Sequence, residues 1–166
     1  VSVKIDWTKI KFGIIAPNLA KKSIDFHNFL EDRNIKYIFD PGAKIFDFTF
    51  SDFKKIDKTA YITILNEQEE LFYKKIFKKD IINTSRAKYL IITQGAKGVS
   101  VYKNGKLFCR KDVVKAKKVV NTVGCGDAFR GGLIKGLILE DDFCKALDFG
   151  LRLASIKATS LGTQNF

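Results

Sequence analysis

The sequence predicts an α/β fold in three layers: a doubly wound, mostly parallel sheet between helices, with a short antiparallel hairpin. Short apolar stretches alternate with amphipathic stretches over residues 11–95, and this alternation is typical of βαβ units whose parallel sheet is covered on both faces. The 166 residues are 46% hydrophobic and 29% charged, which is enough for one compact domain with its own core. We therefore expect a single domain over residues 1–166.

The predicted parallel strands are four short apolar runs that end at turn residues. Pro17 ends the first run, and Pro41 and Gly42 close the second, because proline and glycine favour turns over a continuing strand. The runs are KFGIIAP (residues 11–17), IKYIFD (35–40), TAYITILN (59–66) and KYLIITQG (88–95).

Two amphipathic helices are predicted between these strands. Asn18 would cap the first helix, and the second helix, residues 67–77, has an acidic start and a basic end that suit the helix dipole. The first helix would bury Leu19, Phe26 and Leu30, and the second would carry Leu71, Phe72, Lys75 and Ile76 on one side.

Two further residues of this region are interpreted as structural. His27, the single histidine of the chain, is predicted to be a solvated residue of the first helix and not a catalytic one. Trp7 is predicted to be a packing residue.

The pattern changes after residue 97. GVSVYKNGKLFCR (98–110) predicts two short strands around Asn104 and Gly105, a dipeptide that favours hairpin turns. VKAKKVV (114–120) alternates and could form another strand, and two helices are expected over about residues 127–139 and 142–160.

Composition excludes some classes of protein. No apolar run approaches the roughly 18 residues of a membrane span, and the start of the chain shows no signal-peptide core, so we expect a cytoplasmic protein. Three widely spaced cysteines, Cys109, Cys125 and Cys144, suggest reduced thiols and not a disulfide framework or a zinc site.

The net charge of +12 raises the question of nucleic-acid binding. The basic residues are spread along the whole chain as short pairs, and no zinc-finger or RNA-binding signature accompanies them. We therefore expect no nucleic-acid partner, since a positive field equally favours a small anionic ligand.

The stretch NTVGCGDAF, residues 121–129, combines two glycines, which leave the backbone accessible, with a single acidic residue. Gly124 and Gly126 flank Cys125, Asp127 follows at once, and an apolar helical pattern begins there. The first N–H groups of a helix lack internal acceptors, and glycines let an anion approach them closely. Phosphoryl transfer to a hydroxyl needs such an anion hole and a carboxylate that accepts the proton. The residues alone leave two interpretations open, a helix-capping acid or a general base beside a phosphate site.

Three stretches together resemble motifs of the ribokinase-like (PfkB) family of carbohydrate and nucleoside kinases. NTVGCGDAFRGGLIKGL, from Asn121 onwards, resembles the family's C-terminal signature. TQGAKG, from Thr93 to Gly98, resembles its TxGxxG turn, and NEQE, from Asn66 to Glu69, resembles its NxxE motif. Their order and spacing also match the family. FDPG and the final SLGTQNF look more like the bacterial adenosine-kinase-like and nucleoside-kinase-like members.

The resemblance runs from about Lys11 to the C-terminus and covers the second half of the family pattern. It implies a ribokinase-like fold of which this chain is the C-terminal part. The early Gly-Gly motif and the lid strands of the family are not found, and the sequence contains no Met. We therefore expect an N-terminally truncated chain from a longer protein.

The resemblance also implies roles for the matching residues. Asp127 would be the catalytic base, and Gly124, Cys125 and Gly126 would form the anion hole with their backbone, Cys125 being a small apolar filler in place of the common alanine. Glu69, together with Asn66, would hold Mg²⁺ through water. The residues expected to bind ATP are Asn66, Thr93, Gly95 and Gly98.

The implied activity is ATP-dependent transfer of the γ-phosphoryl group to a hydroxyl of a nucleoside, adenosine-like, or of a sugar. Asn121 and Val123 depart from the residues of cation-binding members and argue against activation by a monovalent cation. The resemblance leaves a homodimer open. The alternative is a non-catalytic basic module or an inactive fragment that binds nucleotide or nucleic acid, which would need none of the three motifs in this order.

Overall fold

The computed structural model describes residues 5–116 and 118–162. Within these residues the chain forms six strands and six helices. The strands are β1 Phe12–Ile15, β2 Lys36–Phe39, β3 Ile62–Asn66, β4 Tyr89–Thr93, β5 Val99–Lys103 and β6 Lys106–Lys111, and the helices are α1 Ala20–Glu31, α2 Phe50–Asp57, α3 Glu67–Phe77, α4 Ile81–Thr84, α5 Cys125–Leu139 and α6 Phe143–Ala158.

The chain divides into two compact units. The first comprises residues up to 93 together with 101–108, and the second comprises residues 94–100 together with the chain from 109 onwards. The single domain that we predict would contain both units.

The first unit is built on a sheet whose strands follow one another in chain order, β1 to β6. The first four strands are parallel neighbours. Because crossovers between parallel strands are right-handed, a sheet that grows in one direction places α1, α2 and α3 on the same face. The predicted α/β class with a mostly parallel sheet is confirmed.

The predicted hairpin is also present. Asn104 and Gly105 both have positive φ, 52° and 74°, which is the backbone of the tight two-residue turns that join antiparallel strands. Only residues 94–98 join β4 to its neighbour β5, and so short a connection also requires an antiparallel pair.

The core of the first unit is strongly aromatic. Phe53 of α2 lies at its centre, with its ring 5.1 Å from that of Phe39 and 5.0 Å from that of Tyr73. On the opposite face of the sheet Ile38, Ile62 and Ile91 are fully buried. Both faces of the central strands are therefore covered, as expected for a parallel sheet.

Helix α2 was not predicted from the sequence. It begins with a capping box, in which the Thr49 hydroxyl accepts from the Asp52 N–H and the Asp52 carboxylate accepts from the Thr49 N–H. A Thr-x-x-Asp pattern before an apolar residue is the sequence signal that could have identified its start.

The buried face of α1 differs from the prediction. Leu19 and Phe26 are exposed, and the buried residues are Ser23, His27 and Leu30. Asn18 does not cap the helix either: Leu19 occupies the N-cap position, and the Asn18 side chain accepts from the adjacent Leu19 N–H.

The prediction of a solvated His27 is wrong. Its side chain is 5% exposed, and Nδ1 lies 3.0 Å from the Tyr37 hydroxyl, which in turn donates to Ile56 O. Burial lowers the pKa of His27. The polar residue is tolerated because β2 supplies a hydrogen-bonding partner that periodicity cannot reveal.

Helix α3 shows a smaller difference from the prediction, whereas Trp7 agrees with it. Leu71 is 65% exposed, and the fully buried residue of α3 is Tyr73, while Phe72 and Ile76 pack against the core as expected. Trp7 does pack, edge-on against Phe29 at 4.9 Å between ring centroids.

The most deeply buried acid is Asp57, at the end of α2. Its carboxylate accepts from the Thr63 and Ser85 hydroxyls and from the Arg86 N–H. Burial raises its pKa, and these hydrogen bonds oppose that rise. Because Thr63 and Ser85 lie near the starts of β3 and β4, Asp57 joins α2 to the amino ends of the strands and plays a structural part.

The second unit contains the helix pair α5 and α6, which confirms the two helices predicted after residue 126. The helices approach closely: a Cβ built at Gly132 of α5 would lie 2.5 Å from Phe149 O, and one at Gly150 of α6 would lie 2.8 Å from Phe129 O. Glycine is therefore required where the two backbones meet. Of the strand predicted over 114–120, residue 117 lies outside the described residues, and the others form no strand.

The expectation of three reduced cysteines is wrong for two of them. Cys109 of β6 and Cys144 of α6 form a disulfide with their Cα atoms 6.6 Å apart, and Cys125 is a free thiol. The ion pair between Lys111 Nζ and Asp148, at 3.0 Å, joins the same two elements. The two cysteines are 35 residues apart in sequence, so only the packing of β6 near α6 brings them together.

Candidate active site

In the first unit, the carboxyl ends of two parallel strands bring together two of the predicted residues. Asn66 ends β3 and Thr93 ends β4, and they are direct partners in the register of the two strands. Asn66 is exposed, and Thr93 is half-buried. The carboxyl ends of parallel strands are where ligands of α/β proteins commonly bind.

The side chains of Asn66 and Glu69 close the start of α3. Asn66 Oδ1 accepts from the Glu69 N–H at 2.9 Å, and Glu69 Oε2 accepts from the Asn66 N–H at 2.9 Å. Burial raises the pKa of Glu69, and the hydrogen bonds from Asn66 oppose that rise. The pair is thus a capping box, and a carboxylate has acceptor sites beyond the one used here.

The turn after β4 contains two of the predicted glycines. Gly95 and Gly98 have φ of +53° and +87°, and the Gln94 N–H donates to Gly98 O at 2.8 Å. At Gly98 a side chain would collide with the backbone of Asp112, only 2.8 Å away, whereas at Gly95 it would meet nothing within 4 Å. Packing alone therefore explains Gly98, while Gly95 leaves open space beside the turn.

In the second unit, α5 begins at the predicted anion hole. Gly124 is the N-cap with φ of +87°, a conformation that favours glycine, and no side chain caps the helix. The first i→i−4 bond is donated by the Ala128 N–H to Gly124 O at 3.0 Å. The N–H groups of Gly126 and Asp127 therefore have no acceptor within the helix. A Cβ at Gly126 would meet nothing within 4 Å.

Asp127 lies in the first turn of α5, and its side chain is 75% exposed. Its carboxylate pairs with the guanidinium of Arg130, one turn along the helix. The Arg130 side chain is only 12% exposed, and burial lowers its pKa. The acid thus faces solvent beside a mostly buried cation that the sequence argument had not considered. The i, i+3 spacing on a helix is the signal that could have found Arg130.

Cys125 fills space between helices α5 and α6. It is half-buried, and its Sγ lies 3.5 Å from Ala154 O. This contact agrees with the interpretation of Cys125 as a small filler whose contribution to an anion hole would come from its backbone.

The loop before α5 is fixed by its own side chain and by the end of α6. Asn121 Oδ1 accepts from the Val123 N–H at 2.9 Å. The Val120 and Asn121 N–H groups both donate to Ala158 O, at 2.7 and 3.2 Å. These bonds hold the approach to Gly124 against the second helix of the pair.

Another acid, Asp40, lies at the carboxyl edge of the sheet in the first unit. Asp40 directly follows β2 and is buried, and its N–H donates to Ile15 O at 2.9 Å. An acid placed directly after a buried strand is the signal that sequence analysis passed over. The described residues contain no cluster of three or more His, Cys, Asp or Glu that could hold a metal ion.

No helix among the described residues is long and apolar enough to cross a membrane. Residues 163–166, the end of the SLGTQNF stretch, lie outside the described residues.

Comparison with known proteins identifies relatives for both sequence and fold. The chain is 29% identical over 119 residues to a nucleoside kinase of Thermoplasma acidophilum, covering 72% of this chain and 39% of that protein. It is 30% identical over 171 aligned positions to a ribokinase of Lactococcus lactis, covering 96% of this chain and 51% of that one. The structure matches that of a Burkholderia thailandensis nucleoside kinase in complex with inosine, with a TM-score of 0.87 and 26% identity over 95% of this chain and 52% of that chain.

The chain thus spans about two fifths to one half of the length of these relatives. The family model for pfkB family carbohydrate kinases matches residues 52–166, which include the NxxE, TxGxxG and GCGD stretches. The chain therefore belongs to the pfkB family of carbohydrate kinases.

Proposed function

We propose that the chain is part of an ATP-dependent kinase that transfers the γ-phosphoryl group to a hydroxyl of a nucleoside, with a sugar as the second class of acceptor. The observation that carries the proposal is the start of α5. There a bare, uncapped helix N-terminus stands directly before a solvent-exposed acid, and the surrounding residues match the family model.

A nucleoside is favoured as the acceptor by the relatives. The Thermoplasma protein is a nucleoside kinase, and the Burkholderia structure contains inosine. A short segment is also 42% identical over 57 residues to an adenosine kinase of Schizosaccharomyces pombe. The Lactococcus ribokinase, which aligns over 96% of this chain, keeps a sugar such as ribose as the second candidate.

In this proposal the residues at the start of α5 bind the transferring phosphoryl group and accept the proton of the acceptor. The backbone of residues 124–126 stabilises the negative charge on the transferring phosphoryl group, as helix N-termini do for anions. The Gly126 N–H has no acceptor within the helix, whereas the Cys125 N–H also donates to Thr122 O. Asp127 accepts the proton of the acceptor hydroxyl. Arg130 holds the Asp127 carboxylate in place and compensates its charge.

The proposed metal site lies at the start of α3. Mg²⁺ bound with the nucleotide would neutralise phosphate charge. Glu69 and Asn66 would orient its water ligands with the oxygen sites that the capping box leaves unused. Asn66 and Thr93 are neighbours at the ends of β3 and β4. In this proposal their polar side chains bind the nucleotide. Gly95 has open space beside its backbone, which would let a phosphate group approach closely.

The test compares the two classes of ligand that a positive chain can bind. Calorimetry with Mg²⁺–ATP, and separately with duplex and single-stranded DNA, should show nucleotide binding and no tight DNA binding. Kinase assays on the longest open reading frame that contains the chain should then show phosphorylation of adenosine or inosine in preference to ribose. Binding to DNA with a steep salt dependence, and none to ATP, would contradict the proposal.

A second measurement concerns the 166 residues alone. Since the chain spans about half the length of the Lactococcus relative, we expect it to bind nucleotide better than it catalyses transfer. Vigorous phosphorylation of adenosine or ribose by these residues alone would show that the acceptor site lies within them.

A further inference from the structure

Two matched contacts join the end of β6 to the start of α6. Cys109 forms a disulfide with Cys144, with the two Cα atoms 6.6 Å apart, and Lys111 Nζ lies 3.0 Å from the Asp148 carboxylate. Two residues along a strand span about 6.6 Å, and four residues along a helix span about 6 Å. The strand and the first turns of the helix therefore run side by side, joined by one covalent and one ionic contact.

The residues that follow these contacts lie against the turn after β4. A side chain at Gly98 would collide with the backbone of Lys111 and Asp112, so these two residues form a wall of the turn. The turn itself is closed by the Gln94 N–H, which donates to Gly98 O at 2.8 Å. The turn, the end of β6 and α6 belong to the same compact unit. The contacts that fix β6 to α6 therefore also fix the wall of this turn.

The disulfide is accessible to small thiols. Both Cys109 and Cys144 are half-buried, and exposed disulfides are the ones that exchange with the glutathione pool, whereas structural ones resist reduction. After reduction the ion pair between Lys111 and Asp148 would still keep the two thiols near each other. The side chains of that pair are 31% and 40% exposed, and ion pairs so exposed contribute little stability. Without the disulfide the end of β6 is thus held less firmly.

We propose that Cys109 and Cys144 form a reversible thiol–disulfide exchange site that controls nucleotide binding at the turn of residues 94–98. The disulfide holds the wall of the turn in place and favours nucleotide binding, whereas reduction loosens the wall and weakens binding. The inference rests on the proposed kinase function, in which Gly95 of this turn lies beside the nucleotide phosphates.

The co-reactant is a small disulfide of the glutathione type. One protein thiolate attacks a sulfur of oxidised glutathione, a mixed disulfide forms, and one glutathione thiolate leaves. The second protein thiolate then attacks the protein sulfur of the mixed disulfide, and the other glutathione thiolate leaves. The two cysteines lose two electrons, the two glutathione sulfurs gain them, and the two thiol protons pass to the departing thiolates. Reduction by glutathione is the reverse of these steps.

The first arm of the test asks whether the site exchanges. The product of the longest open reading frame that contains the chain is equilibrated at different ratios of reduced to oxidised glutathione. Free thiols are then blocked by alkylation, and the linked peptides are identified by mass spectrometry. We expect the link between Cys109 and Cys144 to form and break reversibly as the ratio changes. A link that never forms, or one that excess dithiothreitol fails to break in the folded protein, would overturn the inference.

The second arm measures the Kd of Mg²⁺–ATP by calorimetry for the oxidised and the reduced protein. We expect reduction to weaken binding by about 5-fold or more, the lower end of the usual coupling between two sites. Such coupling is reciprocal. Saturating Mg²⁺–ATP should therefore favour the disulfide, and the ratio of squared reduced to oxidised glutathione concentration at the midpoint should rise by the same factor.

Two serine variants locate the effect. Cys109→Ser and Cys144→Ser each prevent the disulfide with little change in side-chain volume, so both should bind nucleotide as the reduced wild type does, at every glutathione ratio. Asp148→Asn is the matched control, because it removes the ionic contact and leaves the disulfide, and it should keep the redox dependence. A redox dependence that survives in both serine variants would assign it to another thiol, such as Cys125, and overturn the inference.

Amide hydrogen exchange gives a readout that needs no nucleotide. The N–H groups of Gln94 and Gly98 are hydrogen-bonded within the turn, and they should exchange faster in the reduced protein. An equal nucleotide Kd in the two redox states would overturn the inference and leave the kinase proposal standing. Absence of nucleotide binding in both states would defeat the kinase proposal, and the exchange rates would then decide whether the disulfide controls the turn. If the serine variants do not fold, the wild type in its two redox states still decides.

Discussion

Helices α3 and α5 both begin at motifs that sequence analysis associated with phosphate chemistry, yet they begin differently. At α3 the helix closes itself: Asn66 and Glu69 exchange hydrogen bonds with each other's backbone N–H groups. At α5 no side chain caps the helix, and a glycine with positive φ precedes it. The residues at the start of α3 are explained by their stabilisation of the helix, whereas the residues at the start of α5 are not.

The difference shows how to separate a structural motif from a functional one. A capping box satisfies orphan N–H groups and stabilises a protein by about 1 kcal/mol, so NxxE would be found at a helix start with no ligand at all. At α5 that stabilisation is absent, because Gly124 at the N-cap has no side chain to cap the helix. Substitutions at the two starts should therefore have opposite consequences for stability and activity.

The largest expected effect is at Asp127. Asp127→Asn removes the charge but keeps the size, and we expect kcat to fall by about 10²–10⁴-fold, the usual contribution of a general base. A carboxylate is in general a weak base, and phosphoryl transfer tolerates this because the proton can leave late. Since the side chain is 75% exposed, the free energy of unfolding should change by less than about 0.5 kcal/mol.

The measurement is of kcat, nucleotide Kd and unfolding on the complete protein, with Asp141→Asn as the control, because Asp141 is exposed in the loop after α5. Nucleotide Kd should stay within a few-fold. A near-normal kcat for Asp127→Asn would reduce the acid to a helix residue and place the base elsewhere.

The second effect is at Gly126, where stability and activity should move in opposite directions. Gly126→Ala adds a Cβ that meets nothing within 4 Å, so the helix should gain up to about 1 kcal/mol. If the proposed anion hole is correct, the same Cβ would occupy the space through which the phosphoryl group approaches the backbone, so transfer should fall by about 10–100-fold.

Gly131→Ala is the matched control for that change. Gly131 lies on the same helix, is exposed, and also has open space around a built Cβ. It should bring the same gain in unfolding midpoint with unchanged kinetics. Equal kinetics for the two alanine variants would show that nothing approaches the backbone at Gly126.

Much of the fold could be predicted from the sequence, because buried parallel strands are short apolar runs and Asn104 and Gly105 mark a hairpin. What could not be predicted depends on partners distant in sequence. Cys109 and Cys144 pair across 35 residues, and His27 is buried because Tyr37 comes beside it. Local patterns carry no information on either contact.

For the candidate site, the motifs identified the stretches but not their supports. Gly98 is explained by its close approach to Asp112. The i, i+3 spacing could have paired Arg130 with Asp127, but the burial of the Arg130 side chain becomes visible only in the structure. A charged residue in a basic chain looks like surface until packing shows otherwise.

The third effect tests α3. Glu69→Gln retains an acceptor for the capping box, so unfolding should change by less than about 0.5 kcal/mol. If Glu69 orients metal-bound water, the apparent affinity for Mg²⁺ should fall by about 10-fold, as for other outer-sphere partners. Titration of kinase activity with Mg²⁺ at fixed nucleotide measures this.

Asn66→Ala and Thr49→Ala complete the test of α3. Both remove an N-cap side chain from the first unit, and each should lower the free energy of unfolding by about 1 kcal/mol. Only Asn66→Ala should also alter the Mg²⁺ dependence. If all three variants leave that dependence unchanged, the start of α3 is a capping box with no further role.

The smallest expected effect is on the pH dependence of stability, and it depends on whether a side chain is buried or exposed. His27 is buried, and this burial lowers its pKa in the folded protein below the ordinary value of about 6.5. The unfolded chain therefore binds more protons than the folded one below that pH, so stability is fully present above about pH 6.5 and declines as the pH falls through the folded pKa. Urea unfolding between pH 7.5 and 5.5 should show the decline, and His27→Gln, which keeps a polar partner for Tyr37, should remove most of it. An unchanged pH slope in His27→Gln would mean that other groups carry the dependence and that the imidazole is protonated as readily in the fold as outside it.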